Sequence, residues 1–302
     1  MTDRRAVLKT FALLPLAGCA AAPPPPATTA PATTTTTTTT TTSAAPVRHD
    51  ALFALEKKFD ARLGVFAAGA GRTVEHRADE RFAFCSTFKG LAAAAVLHRN
   101  PMAHLDTVIA YTDADLMKSS AITRQHVATG MSLRDLCDAA VRYSDGTAGN
   151  LLLRDLGGPA ELTRYLRELG DTETRMDRAE PDITSATPGD PRDTATPRAL
   201  GTDYRRLVLG DALAPEKRAF LTGLLERSTT GAKRVRAGVP RGSRVANKTG
   251  TGSYGTVNDI AVVWPPGREP VLVAIMSSKA ADTEYDEALV AEAAAYVLET
   301  LT

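Results

Sequence analysis

Apolar positions recur at helical spacing from Ala51 to Phe59, and the runs Leu63 to Ala68 and Arg81 to Phe84, around the Gly69/Gly71 turn, read as strands. A helix-rich middle follows: Leu133 to Tyr143, Ala148 to Leu156, Glu161 to Leu169, Pro197 to Leu209 and Pro215 to Arg227. The last third predicts three strands, Arg244 to Lys248, Thr256 to Trp264 and Val271 to Ser277, then a closing helix from Glu284 to Leu301. Between Leu169 and Pro197 lies a polar stretch carrying Pro181, Pro188 and Pro191. Connections this long without structure of their own are uncommon and often functional. Strands at both ends with helices between predict an α/β plus all-α fold. A five-stranded antiparallel sheet would be flanked by the terminal helices, with a central helical subdomain and a ligand cleft between the two.

Before Val47 the pattern is different. Residues 1–22 read as an export signal: Arg4-Arg5 precedes the short apolar stretch Ala12 to Ala17. Asp3 to Lys9 resembles a twin-arginine motif, and Leu16-Ala17-Gly18-Cys19 resembles a lipobox that would make Cys19 a lipidated first residue. Residues 23–46 are nearly all Pro, Ala and Thr, with an unbroken threonine run from Thr33 to Thr42, a composition expected to form a disordered stalk. The catalytic or binding domain is then expected over residues 47–302.

Composition narrows the function. With 43% hydrophobic and 24% charged residues the chain can bury a sizeable core. Lysine plus arginine number 36 against 35 acidic residues, and this near-neutral balance argues against a nucleic-acid partner. Cys19, Cys85 and Cys137 form no C-x-x-C pair, and the five histidines have no ligand spacing, so no metal is expected. No apolar run reaches the roughly 18–20 residues of a spanning helix. Gly250 to Gly255 matches G-x-G-x-x-G literally but precedes a strand instead of opening a helix, which removes its dinucleotide meaning. G-x-S-x-G, the phosphate loop and H-E-x-x-H are absent.

Four places carry chemistry. Ser86-Thr87-Phe88-Lys89 has the only serine followed by lysine three residues on; on a helix the two share a face, and the first turn offers free N–H groups. An amine beside a hydroxyl suits nucleophilic catalysis, although an N-cap serine with a solvated lysine is the plainer reading of the motif alone. Tyr143-Ser144-Asp145-Gly146 supplies a second hydroxyl or simply a turn between helices. Lys248-Thr249-Gly250 suits carboxylate recognition beside close-approaching backbone, or is an ordinary strand end. Glu180, before Pro181 in the long loop, suits a general base for water, or is a surface carboxylate.

Taken along the chain, S-x-x-K, S-D-x, a glutamate in the long loop and then K-T-G resemble the motifs of the class A serine β-lactamases over roughly residues 50–300. Asn150, Arg192-Asp193-Thr194 and Thr229-Thr230-Gly231 add to the likeness, and Tyr143 to Leu153 and Lys248 to Trp264 look most like actinobacterial, mycobacterial-type members. The resemblance implies hydrolysis of the β-lactam amide of penicillins and cephalosporins through a serine acyl-enzyme, conferring antibiotic resistance, with no cofactor. It implies Ser86 as nucleophile, Lys89 as its proton acceptor (directly or with Glu180 through a water), Ser144 as proton relay to the lactam nitrogen and Glu180 as the base for deacylation. The backbone N–H groups of Ser86 and Thr251 would form the oxyanion hole. Lys248, Thr249, Thr251 and Arg234 would hold the substrate carboxylate, with Gly250, Thr230 and Ser119 completing the substrate site. Asn150 would support the loop and Glu180, and Arg178 and Asp193 would close the loop as an ion pair, with Glu180–Pro181 a candidate cis peptide. An exported monomer, either secreted or held at the outer face of the cytoplasmic membrane, which it reaches only through a lipid at Cys19, completes the expectation.

Four departures from the family pattern stand out. Gly146 replaces the asparagine of S-D-N, which implies a wider pocket. Thr184 stands where an asparagine helps hold the deacylating water, and Ser119 where an aromatic often stands at the cleft rim. Cys85 and Cys137 lack their usual partner positions and are expected as free thiols. The alternatives are a D,D-peptidase-like penicillin-binding protein, which lacks a base such as Glu180, and a lipoprotein that binds β-lactams or cell-wall peptide without turnover.

Overall fold

The structure, a computed structural model, describes Ala22 and residues 47–302. The export signal, Cys19 and the threonine run lie outside the described residues. The chain opens with α1 (Asp50–Phe59), β1 (Arg62–Gly69), β2 (Arg72–His76) and the two-residue β3 (Phe82–Ala83), then α2 (Phe88–Arg99). Short strands β4 (Val108–Ile109) and β5 (Met131–Ser132) lead into α3 (Leu133–Arg142), α4 (Gly146–Leu156) and α5 (Pro159–Glu168). After the long loop with β6 (Thr194–Ala195) come α6 (Pro197–Val208), α7 (Pro215–Glu226) and the single turn α8 (Val235–Gly238). The chain closes with β7 (Arg244–Gly252), β8 (Thr256–Trp264), β9 (Val271–Ser278) and α9 (Glu287–Leu301).

The main sheet is five-stranded and antiparallel, in the order β2-β1-β9-β8-β7. Its first strand pair differs from the expectation. The turn at Gly69–Gly71 returns directly into β2, with Gly69 opposite Arg72 and both intervening residues, Ala70 and Gly71, at positive φ (48° and 73°), as a tight primed hairpin turn requires. Arg72–His76 is an edge strand in which only Val74 and His76 are buried, so its apolar signal is too thin to announce it. Arg81 to Phe84 does not join the sheet: Phe82 and Ala83 pair with Ala195 and Thr194, fastening the end of the long loop to the segment just before Ser86. β7 also runs on through Lys248 to Gly252, and α9 starts at Glu287 instead of Glu284.

Period-two alternation divides the core. On β9, Val271, Val273 and Ile275 face Leu289, Val290, Val297 and Leu301 of α9, while Leu272, Ala274 and Met276 face the helical layer. The middle of that layer is α2, whose residues Phe88 to Leu97 are all buried. A helix apolar on every side can only be interior, and its four consecutive alanines let neighbours approach closely. Local chemistry ends the long loop as well. Thr196 caps α6 by accepting the Ala199 N–H, and Pro197 occupies the first helical position.

One buried acid has no counter-ion bonded to it. Asp203 of α6 is pushed well above the ordinary carboxylate range by burial and by the neighbouring Asp171 carboxyl, against the pull of Arg206 and Arg167. The folded state therefore keeps a proton that the unfolded chain releases near pH 4, and stability contributed by Asp203 falls as pH rises from there toward the folded-state pKa. Asp203→Asn keeps a donor for Asp171 and removes the titration. The variant should match the wild type near pH 4 and melt about 2–4 °C higher at pH 8, the equivalent of ~1 kcal/mol. Scanning calorimetry across that range checks this, and parallel Tm profiles would disprove it.

Candidate active site

The expected nucleophile stands in a single 3₁₀ turn, Cys85–Thr87, between β3 and α2. Cys85 is forced to φ +49°, and Ser144, in the α3–α4 connection, to φ +58°. Left-handed backbone at residues other than glycine is strained by about 1–3 kcal/mol and collects at functional sites. Here Ser144 borders the cleft and Cys85 immediately precedes Ser86 in its wall. The Ser144 turn is pinned from behind by the buried Asp145, which caps α4 through Ala148 N (2.9 Å) and also accepts from Ile122 N and the N–H and hydroxyl of Thr123.

Lys89, the second residue of α2, is buried with its ammonium among oxygens. Its Nζ lies 2.6 Å from Glu180 Oε1, 3.0 Å from Ser86 Oγ and 2.6 Å from the Ser144 carbonyl. Room for it comes from Gly149 of α4: a Cβ there would stand 2.8 Å from Lys89 Cε. Ser86 Oγ in turn donates to Glu180 Oε1 at 3.1 Å, so the hydroxyl sits between amine and carboxylate. Desolvation lowers the pKa of Lys89, partly offset by Glu180. For Glu180 desolvation acts upward, but Lys89 and the Ser119 and Ser86 hydroxyls outweigh it and the carboxyl is lowered overall. Glu180 is thus held ionised beside a lysine that gives up its proton more easily than a surface one.

β7 supplies the cationic floor. Lys248 Nζ donates to Ser144 Oγ (3.0 Å) and to the Thr249 carbonyl (3.0 Å), and Thr249 and Thr230 share a 2.6 Å hydroxyl contact. Burial first, then the nearby charges of Lys89 and Arg234, depress Lys248 well below an ordinary lysine. Arg234 is buried as well: its guanidinium donates to the carbonyls of Gly250 and Asn258, to Thr251 Oγ1 and to Glu287 Oε1. Above this floor opens a cleft of about 1450 Å³, bordered by Ser86, Ser144, Glu180, Thr230, Thr251 and Ser119.

The loop that carries Glu180 is closed as expected. Asp193 Oδ2 accepts from Arg178 Nε (2.6 Å), and its Oδ1 accepts the backbone N–H groups of Asp177 and Arg178. The Asn150 amide brackets Glu180, donating to its carbonyl (2.9 Å) and accepting its N–H (3.0 Å). The Glu180–Pro181 bond is cis, and Cys85 and Cys137 are free and buried, their thiols pushed up to about 12 by desolvation. Thr184 faces the cleft, but its hydroxyl donates to the Pro181 carbonyl (2.7 Å). Three partners went unforeseen: Ser119 donating to Glu180 Oε2, Glu287 holding Arg234, and Asn258, whose amide donates to the Ala83 carbonyl ahead of Ser86. Each is a contact between distant segments, with no local motif to announce it.

Residues 48–301 match the family model described as the β-lactamase enzyme family. The chain belongs to that family. It is 56% identical over 257 residues to a β-lactamase of Mycobacterium tuberculosis, covering 82% of this chain and 84% of that protein. Over 227 residues it is 57% identical to a β-lactamase of Amycolatopsis lactamdurans, covering 74% of this chain and 75% of the relative. The solved β-lactamase of Streptomyces albus G superposes with a TM-score of 0.82 at 46% identity, over 84% of this chain and 98% of that one. The protein is accordingly a class A serine β-lactamase, and the β-lactamase fold expected from the sequence is the fold found. Among the described residues no cluster of His, Cys, Asp or Glu could hold a metal ion, and no helix is long and apolar enough to cross a membrane.

The neck of the loop depends on one buried carboxylate. Asp193→Ala leaves Arg178 and two backbone N–H groups without their acceptor, and should lower unfolding stability by about 3 kcal/mol. Urea denaturation measures the loss; a change below about 0.5 kcal/mol, the scale of a neutral surface substitution, would show that the rest of the loop holds its shape alone.

Proposed function

We propose that Ser86 is the nucleophile of this β-lactamase and Glu180 the base that frees it. The observation that carries the assignment is the Ser86 hydroxyl lying between Lys89 Nζ (3.0 Å) and Glu180 Oε1 (3.1 Å). In acylation Ser86 Oγ bonds to the lactam carbonyl carbon, and its proton leaves to Lys89 once that ammonium has passed one of its own to Glu180, or to Glu180 through a water. The oxyanion is held by the backbone N–H groups of Ser86 and Thr251. As the C–N bond breaks, Ser144, within 3.0 Å of Lys248 Nζ and 3.5 Å of Lys89 Nζ, hands its proton to the departing nitrogen and takes one from Lys89 in its place. Lys248, Thr249, Thr251 and Arg234 bind the substrate carboxylate, with Thr230 and Gly250 supporting them. In deacylation Glu180 takes a proton from water, hydroxide adds to the ester carbonyl, and Ser86 Oγ recovers its proton as it leaves. Asn150, Arg178 and Asp193 keep Glu180 in place for that step.

The substrate is reached outside the cytoplasm in this reading. Residues 1–22 serve as the export signal, Cys19 carries a lipid that holds the enzyme at the outer face of the cytoplasmic membrane, and the enzyme acts as a monomer. The order of Arg4-Arg5, apolar stretch and Leu16 to Cys19 supports it.

A chromogenic-cephalosporin time course tests the two central roles. Wild type should turn over continuously, Ser86→Ala should give neither burst nor turnover, and Glu180→Ala should give a burst of about one equivalent that stops. Continuous turnover by Glu180→Ala would remove it from deacylation. Thr184→Asn adds an amide beside the deacylating water, and single-turnover kinetics should show faster loss of the acyl-enzyme; an unchanged rate would end that reading of Thr184.

A further inference from the structure

Gly146, the first residue of α4, lies against the outer oxygen of Glu180. A Cβ at this position would stand 2.3 Å from Glu180 Oε2 and 2.4 Å from Ser119 Oγ, so any other residue would push the two oxygens away. With glycine they meet, and Ser119 Oγ donates to Oε2 at 3.1 Å. The segment bearing Ser119 is stitched to the same helix turn. The Ser119 carbonyl accepts the Gly146 N–H at 2.7 Å, and Thr147 Oγ1 accepts from Met117 N (2.8 Å) and bonds Ser120 Oγ (2.7 Å). The hydroxyl is therefore delivered to Glu180 by the contacts of its segment with Gly146 and Thr147, although the residue itself is exposed at the cleft rim.

We infer that Ser119 is a positioning residue for Glu180, its hydroxyl fixing Oε2 so that Oε1 stays turned toward Ser86 and Lys89, an arrangement that Gly146 makes possible. This rests on the reading of Glu180 as the deacylating base. The terminal torsion of a glutamate is broad, so a carboxylate bonded through one oxygen swings more freely than one bonded through both. The pocket that the missing side chain would have widened is instead closed by this contact.

The same bond favours the ionised carboxylate. The titratable groups that face Glu180 are Lys89 of α2, Lys248 of β7 and the Cys85 thiol beside Ser86, with Asp145 acting on Lys89 from the Ser144 turn. Lys89 dominates among the charges, and Ser119 is the donor on the other oxygen. Removing it makes the carboxylate easier to protonate, so the acid limb of deacylation moves to higher pH.

The test compares wild type, Ser119→Ala, Ser119→Thr and Gly146→Ala, alone and combined with Ser119→Ala, measuring acylation and deacylation separately between pH 4.5 and 8 with a chromogenic cephalosporin. Ser119→Ala should slow deacylation about three- to tenfold, the weight of one hydrogen bond. Its acid limb should rise, acylation should change little, and Ser119→Thr should recover most of the loss. In the Gly146→Ala background, where the contact is already displaced, Ser119→Ala should add nothing further. An unaltered deacylation rate and acid limb in Ser119→Ala would overturn the proposal, as would a change confined to KM, which belongs to a substrate contact at the rim. If Glu180→Ala itself deacylates at the wild-type rate, the reading of Glu180 fails, whatever Ser119 does.

Discussion

A buried ammonium is the constraint around which the site is assembled. Moving Lys89 out of water is expensive unless its charge and all three protons find partners, and Glu180, Ser86 and the Ser144 carbonyl supply them within 3.0 Å. Each partner makes its own demand. The carbonyl of Ser144 points inward only because that residue accepts a left-handed backbone, and Asp145 holds the turn in that shape. Glu180 arrives on a loop with no regular structure to support it, so the Asn150 amide and the Asp193 neck stand in for a scaffold. Gly149 gives up its side chain to leave a channel for the lysine stem.

The cleft above this cluster carries charges of both signs. Lys89, Lys248 and Arg234 gather there, and carboxylates offset them: Glu180 on Lys89, Glu287 on Arg234, and Asp259 of β8 acting on Lys248. Asp259 shows the strain of the arrangement, its pKa raised to about 6 by desolvation despite the Asn247 amide and the neighbouring cations.

How much of this was legible depended on how local each feature is. α3 to α7 follow apolar periodicity and proline starts, and their bounds fall within a residue or two of the expected ones. β2 has no sequence signal because an edge strand of mostly polar residues has nothing to alternate, and Arg81 to Phe84 joins a different sheet from the expected one because its partner lies more than a hundred residues away. Ser86, Lys89, Ser144, Glu180 and Lys248 come together as their motifs implied. Gly146 looked like an opened pocket, since sequence shows a lost side chain but cannot show which neighbour moves into the vacated volume. Ser119, Glu287 and Asn258 are of that second kind: ordinary residues made important by who stands opposite.

The position of β9 in the sheet has a consequence for the growing chain. It is the third of five strands, yet it is the last to be synthesised, and it pairs with β1, written some two hundred residues earlier (Leu63 opposite Ser277). Until Val271 to Ser278 exist, the β1–β2 hairpin and the β7–β8 hairpin have no common edge, and α9 has no sheet to cover. The platform that sets Lys248 opposite Ser86 therefore cannot form piecemeal from the amino end. Its long loop closures must wait for that last strand, so their entropic cost falls on the end of synthesis.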